Sequence, residues 1–538
     1  MARDCSGPPA TALSNAQAAV ADCSNGGTRV LVAGRGASYL IVAQLPTDQG
    51  ASAPVAYTLT ADTVPAAAAA ANLAPPQTAA PVFTPVPDLQ TQFDLRLRMR
   101  DRAAAASRAA APARSVAANA VPVLGTLRTF RVLTDYTAGK DVWATSPARL
   151  EYVGTNVLVY ADTLVPHGGF SAAALSEFGR YFDRVLFPID TSAFGMPSDV
   201  DGNARVIMLL SPAVNAGTPR GICATHGYVA GFFNGQDFNA ASDPNSNRGE
   251  IFYSLVADPQ GAFGCVHTAA EVSDVEPAVF LHEMQHLISY SQHVVVGGGQ
   301  PAASWMDEGM SLVAEELGSA YYEAKCPPPA CRTNPGQLLP DSSLAFARTF
   351  MLDSYSYASN PDSVSLTLRS DRDLGLAWRG GAWAFMRWLG DHMSAGFYRR
   401  LEQTPGSGAT AIESASGGQS FARLFANFGL ALYTDSLPGM PRNTAPVADR
   451  FSTRNTRELW ADLLGTASSQ QLPFPIPLHP ATAVGSVMQL APGGLAFWRL
   501  DTPADVTTET VHFSASDGRP LDPALHPQLM IFRLPPGQ

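Results

Sequence analysis

The sequence predicts a multidomain protein: an α/β and mainly helical core between N- and C-terminal β-sandwich-like domains. Three observations carry this. The 538 residues are too many for one hydrophobic core and favour two to four domains. Short apolar runs separated by Gly, Pro and Asp turns crowd both ends of the chain. Between them, strand patterns mix with apolar residues at helical spacing and then give way to them. The expected division is residues 1–90 for an N-terminal β domain and 91–124 for a helical and linker segment. Residues 125–465 then form the core and 466–538 a C-terminal β domain.

Composition bounds the rest. Apolar residues make up 46% of the chain, as in folded soluble proteins. The net charge is −11 with only 35 Lys and Arg, and no basic run stands out, so nucleic acid is not an expected partner. No apolar run approaches the length of a transmembrane helix. Met1-Ala2-Arg3-Asp4-Cys5 carries no apolar signal region. The chain is nevertheless rich in Ala, Pro, Ser, Thr and Gly, and holds an even six cysteines. The expectation is therefore a secreted or extracytoplasmic protein whose signal peptide is absent. Disulfides fit that compartment better than metal thiolates, since no C-x-x-C occurs. Pairing of neighbours (Cys5 with Cys23, Cys223 with Cys265, Cys326 with Cys331) is the simplest of the 15 connectivities.

In the N-terminal part, Thr28–Ala33, Tyr39–Ala43 and Ala51–Thr60 have strand composition. Residues 64–86 are Ala/Pro-rich linker. Phe93–Arg108 has helical composition, with its arginines on a solvated face. Pro112–Val121 is a second linker. In the core, Phe130–Leu133 and Val157–Tyr160 have strand patterns and Ala172–Phe187 an amphipathic helical one. Asp199-x-Asp201-x-Asn203, ahead of the apolar strand Arg205–Leu210, resembles the start of a calcium loop. Position six is Ala204, however, and the distal Glu is missing, which favours a polar turn and leaves Ca2+ a second, weaker cofactor expectation. Gly249–Val256 is a further strand.

The stretch that organises the core is Val279-Phe280-Leu281-His282-Glu283-Met284-Gln285-His286-Leu287-Ile288. Side chains four apart lie on one face of a helix, so His282 and His286 can meet one metal ion, with Glu283 one step round to reach a bound water. Ser273-x-x-Glu276 is the expected capping box, with Pro277 in the first turn. A third ligand decides whether this is a metal helix or a core helix with two histidines. Six positions after His286 stands Gln292, and His293 is out of register, so a third His of that kind is not expected. Ser304-Trp305-Met306-Asp307-Glu308-Gly309 opens a second helix, with Ser304 and Asp307 as the cap pair and Leu317-Gly318 as the end. Glu308 on its first turn is the expected third ligand, with Glu315 and Glu316 next in line. Two His and one carboxylate leave a fourth zinc position open.

His-Glu-Met-Gln-His followed by Trp305-Met306-Asp307-Glu308-Gly309 resembles the gluzincin metallopeptidases, and more narrowly the hyicolysin-like family. Phe194–Asn203 with the strand after it, Gly231-Phe232-Phe233 and the apolar stretch from Gly380-Gly381 are similar to that family too. The resemblance spans roughly residues 125–465. It implies a gluzincin-type zinc endopeptidase acting on protein or peptide substrates, with Zn2+ on His282, His286 and Glu308 and Glu283 as general base. It also implies substrate backbone binding by strand addition near Asn247–Tyr253.

There are departures. The Asp that supports the first His in thermolysin-like relatives is here Leu312, leaving Ser311 as the nearest polar residue, beside Asp307. Trp378-Arg379-Gly380-Gly381 stands where aminopeptidase relatives carry Y-x-x-G, so the oxyanion donor is sought among Tyr355, Tyr357 and Tyr322. Their G-x-M-E-N segment is missing, which argues against the aminopeptidase alternative. The other alternative is a surface-binding protein with a latent or inactive protease-like scaffold.

After Glu316 the expected helices are Trp378–Gly390, Ala395–Glu402 and Phe421–Tyr433, the last with core aromatics. Ser486–Leu490, Ala496–Leu500, Thr510–Phe513 and Leu529–Phe532 are the expected strands of the C-terminal β domain, which could contact a cell surface or glycan.

Overall fold

The computed structural model describes residues 3–50, 53–65, 89–107, 120–134, 141–166, 168–239, 243–333, 337–368, 376–440, 450–463 and 472–538. Most of the two Ala/Pro-rich linker stretches lies outside these. The strands are β1 (Ala18–Asp22), β2 (Arg29–Ala33), β3 (Ser38–Gln44), β4 (Val55–Ala61), β5 (Leu127–Leu133), β6 (Trp143–Val153), β7 (Val157–Asp162), β8 (Val206–Leu210), β9 (Gly231–Phe233), β10 (Ile251–Ser254), β11 (His479–Pro480), β12 (Met488–Leu490), β13 (Leu495–Asp501), β14 (Thr508–Ala515) and β15 (Gln528–Arg533). The helices that matter here are α1 (Leu89–Ser107), α2 (Ala172–Tyr181), α3 (Phe187–Phe194), α4 (Ala269–Tyr290), α5 (Ser304–Lys325), α6 (Asp341–Ser359), α7 (Ala377–His392) and α8 (Phe421–Thr434). The molecule is thus α/β, with a helical region in mid-chain and β sheets formed from both ends.

Those ends do not make two sandwiches. Strands from both interleave in two sheets, ordered β1-β15-β3-β13-β11 and β12-β4-β14-β2. β3 lies between β13 and β15, with Ser38 opposite Asp501 and Gln44 opposite Gln528. One face of β3 and β15 (Tyr39, Ile41, Leu529, Ile531) joins the core between the two sheets. The other face (Leu40, Val42, Met530, Phe532) joins the helical core, where α8 packs on it. Burial on both faces is why Tyr39–Ala43 is an unbroken apolar run instead of an alternating one.

The third sheet, ordered β5-β6-β7-β8-β10-β9, positions the site. β10 runs parallel to β8 and antiparallel to β9, so it has no open side. The terminal strand on this side of the sheet is therefore β9, not the expected Asn247–Tyr253. Asn247 is already engaged: its amide donates to the Arg131 C=O at 2.8 Å and its carbonyl accepts from the Arg131 N–H at 2.8 Å.

Two helix starts differ from expectation. α4 begins a turn earlier, capped by Thr268. The Thr268 hydroxyl accepts from the Glu271 N–H at 3.2 Å, and Glu271 accepts from the Thr268 N–H at 2.6 Å. Thr268-x-x-Glu271 has the same signature as Ser273-x-x-Glu276. Pro277 consequently lies inside the helix, which tertiary packing sustains. α5 follows Ala303 with no side-chain cap, because Asp307 turns to His286. It also runs through Gly318 to Lys325. A Cβ on Gly318 would sit 2.6 Å from Leu281 and Phe346 side-chain carbons, so this glycine marks close helix packing, not a helix end.

The cysteines join as neighbours: Cys5–Cys23, Cys223–Cys265 and Cys326–Cys331. Among the described residues no helix is long and apolar enough to cross a membrane.

Candidate metal centre

α4 and α5 lie side by side in the helical core and carry the whole centre. His282 and His286, one turn apart, are both buried, at 5% and 0% exposure. Opposite them, Glu308 is fully buried. Its Oε2 lies 3.6 Å from His282 Nε2, and its Oε1 lies 3.6 Å from His286 Nε2. His282 Nε2 and both Glu308 oxygens are buried without a hydrogen-bond partner. Buried polar atoms left bare in this way call for an explanation. Zinc bonds of about 2.0–2.1 Å in tetrahedral array separate ligand atoms by about 3.4 Å, close to each of the two His–Glu308 separations.

The far side of each imidazole is also accounted for. His282 Nδ1 lies 2.8 Å from Glu315 Oε1, and His286 Nδ1 lies 3.0 Å from Asp307 Oδ2. Carboxylates on Nδ1 fix the tautomer that leaves Nε2 free to ligate. Ser311 bridges, with its hydroxyl donating to the Asp307 C=O at 2.9 Å and lying 3.1 Å from His286 Nε2. The residue that supports His282 is therefore Glu315. It stands seven positions after Glu308, two turns along one helix face, and that spacing was the available signal.

Glu283 sits beside the histidines: one ligand atom each of His282, Glu283 and His286 lies within 4.8 Å of the others. Its Oε2 accepts from the Phe233 N–H of β9 at 2.9 Å, which ties it to the sheet edge. Glu308, with both oxygens bare, is the carboxylate aimed at the histidines. Arg379 of α7 lies 3.4 Å from Glu308 Oε2 and donates to the Thr91 hydroxyl of α1 at 2.7 Å. Burial alone would raise the Glu308 carboxyl, but His282 and the Arg379 guanidinium hold it well below the usual carboxylate range. Glu308 is thus held as a carboxylate, as a divalent cation requires.

No protein-family model matches the chain. One partial likeness is found. The chain is 26% identical over 172 residues to the neutral metalloprotease ShpI of Staphylococcus hyicus. The match covers 32% of this chain and 36% of that protein. It is distant and partial homology to a metalloprotease, found in a chain with a buried His-Glu-x-x-His group.

A cavity of about 910 Å³ opens beside the centre, lined by His282, Glu283, Tyr181, Tyr228, Tyr322 and Arg379 among others. The Tyr181 and Tyr322 hydroxyls lie 2.5 Å apart on its wall. Tyr355 and Tyr357 do not reach it. Both are fully buried on α6, and the Tyr355 hydroxyl donates to the Pro473 C=O at 3.1 Å. The Trp378-Arg379-Gly380-Gly381 segment is likewise a packing feature at Gly380, where a Cβ would fall 2.0 Å from the Asp353 carbonyl carbon.

α1 also departs from its expected solvated character. Arg98 is 4% exposed, stacks over the Phe233 ring and pairs with Asp101 at 3.5 Å. α1 lies along β9. Gln90 accepts from the Ala230 N–H at 2.8 Å and donates to the Gly231 C=O at 2.8 Å, and Arg98 donates to the Phe233 C=O at 3.1 Å.

Proposed function

We propose that this protein is a zinc-dependent endopeptidase hydrolysing peptide bonds in extracellular proteins. The observation that carries the reading is that Glu308 faces both His282 and His286, with His282 Nε2 and both Glu308 oxygens free of hydrogen bonds, beside Glu283 at a cleft. A zinc ion held there would polarise the scissile carbonyl and acidify a water. Glu283, anchored to β9 through Oε2, takes the proton from that water and passes it to the leaving amine. Glu315 and Asp307 hold the two imidazoles in register. Tyr322, one of the three expected candidates, and Tyr181 beside it are the candidate partners for the developing oxyanion, since they line the cavity. An extended substrate would add to β9 as a further strand.

A second reading, a latent form of the same enzyme, is favoured by α1. Gln90 and Arg98 already hold backbone groups of β9 that an added peptide strand would use. The test is casein hydrolysis by three zinc-loaded proteins: wild type, Glu283→Ala, and Gln90→Ala/Arg98→Ala. Cleavage by wild type and its loss in Glu283→Ala is the expected result. A marked rise in the double variant would establish latency. If all three hold zinc and none cleaves, the peptidase reading fails.

A further inference from the structure

The Asp199–Asn203 turn lacks a distal Glu in sequence, yet the fold supplies one. Glu250, the residue that leads into β10, joins Asp199 and Asp201, and one oxygen from each of the three lies within 4.8 Å of the others. Glu250 is 1% exposed. Its Oε1 accepts from the Ser198 hydroxyl and the Val200 N–H, each at 2.9 Å. Its Oε2 is buried with no hydrogen-bond partner. The remaining bonds fix the carboxylates without neutralising them. Asp199 Oδ1 accepts from the Ala204 N–H at 3.0 Å. Asp201 accepts from the Asn203 N–H at 3.1 Å and from the Asn203 side-chain amide at 2.7 Å. Arg128 reaches Asp201 only at 4.0 Å. A bare carboxylate oxygen in the interior, beside two further carboxylates, is costly unless a cation meets it.

We propose that Asp199, Asp201 and Glu250 form a calcium site. Calcium takes oxygen ligands at about 2.3–2.6 Å, so oxygens around one ion stand at most about 5 Å apart, and those of this cluster lie within that limit. The partly exposed loop leaves room for the water ligands that complete a coordination number of about 6–8. The site is distinct from the zinc centre but braces it. The Ser198 hydroxyl that bonds Glu250 also bonds the Ser291 hydroxyl at 3.1 Å, immediately after α4. β10, which Glu250 opens, carries the edge strand β9. Calcium here ties the Asp199 loop, the sheet and the end of the zinc helix together, so its main effect is on stability.

The experiment is calorimetric titration of CaCl2 into the zinc-loaded full chain, with melting temperature followed in parallel and MgCl2 as the control. Wild type is expected to bind one Ca2+ and to melt several degrees higher with it. Glu250→Gln and Asp199→Asn are each expected to weaken binding by at least about tenfold. Glu250→Gln should also melt no lower than wild type without calcium, because its amide can donate to the neighbouring aspartates. Asp199 is exposed, so its variant reports even if the buried one fails to fold. The proposal is overturned if wild type neither binds calcium nor gains stability, if MgCl2 acts equally at equal concentration, or if Asp199→Asn binds calcium as wild type does.

Discussion

The metal centre and the terminal sandwich are both built in buried, well-packed surroundings, yet they use the sequence in opposite ways. In the centre, His282, His286, Asp307, Glu308 and Glu315 all come from two consecutive helices, α4 and α5. In the sandwich, Ser38 donates to Asp501 at 2.6 Å across 463 residues. Helix spacing decides the first arrangement residue by residue. Nothing local decides the second, because a strand's pattern says that it pairs, not with which partner. The candidate centre lies in the part whose geometry a short stretch can guarantee. The sandwich makes the two ends of the chain depend on each other and, through α8, on the helical core.

That contrast can be broken most severely at β15. Phe532 is fully buried on the face of the sheet that meets the helical core. Phe532→Ala is expected to cost about 3–5 kcal/mol and to lower the melting of sandwich and helices together, read by calorimetry. Two separate transitions, with the zinc helices unaffected, would instead mark the sandwich as an independent accessory. Next in size is Glu315→Ala, which frees the His282 imidazole to turn. It should lower zinc affinity by roughly 10–100-fold in a competition titration while leaving the fold intact. An unchanged affinity would remove Glu315 from the centre. The smallest effect separates two helix starts: Thr268→Ala should cost about 1 kcal/mol in denaturant unfolding, and Ser273→Ala almost nothing. The reverse order would restore the later start of α4.

The grouping of His282, Glu283 and His286 was legible because H-E-x-x-H is a local pattern, and Glu308 faces the two histidines from the next helix as its position there predicts. Glu315 is expected only as a reserve ligand and not as the support of His282, because thermolysin-like relatives keep that carboxylate at the position of Leu312, although Glu315 repeats the face of Glu308. The buried role of Arg98 was illegible, since its partners are the Phe233 ring and carbonyl on a distant strand. β9 spans only three residues, too few to give a strand pattern, so the terminal strand was assigned one strand away. Most strands at both chain ends were legible from composition, but their merging into shared sheets was not. Tyr355 and Tyr357 lie away from the cavity for a related reason: order along the chain says nothing about which face of α6 they occupy, whereas Tyr322 lines it.

The central claim is that His282, His286 and Glu308 hold one zinc ion, with Glu283 beside it as base and not as ligand. Its most direct test is the zinc content of purified wild type, Glu283→Gln and Glu308→Ala after zinc loading and exhaustive dialysis. One zinc per chain is predicted for wild type and Glu283→Gln, and little or none for Glu308→Ala. Full retention by Glu308→Ala together with loss from Glu283→Gln would exchange the two roles and contradict the account.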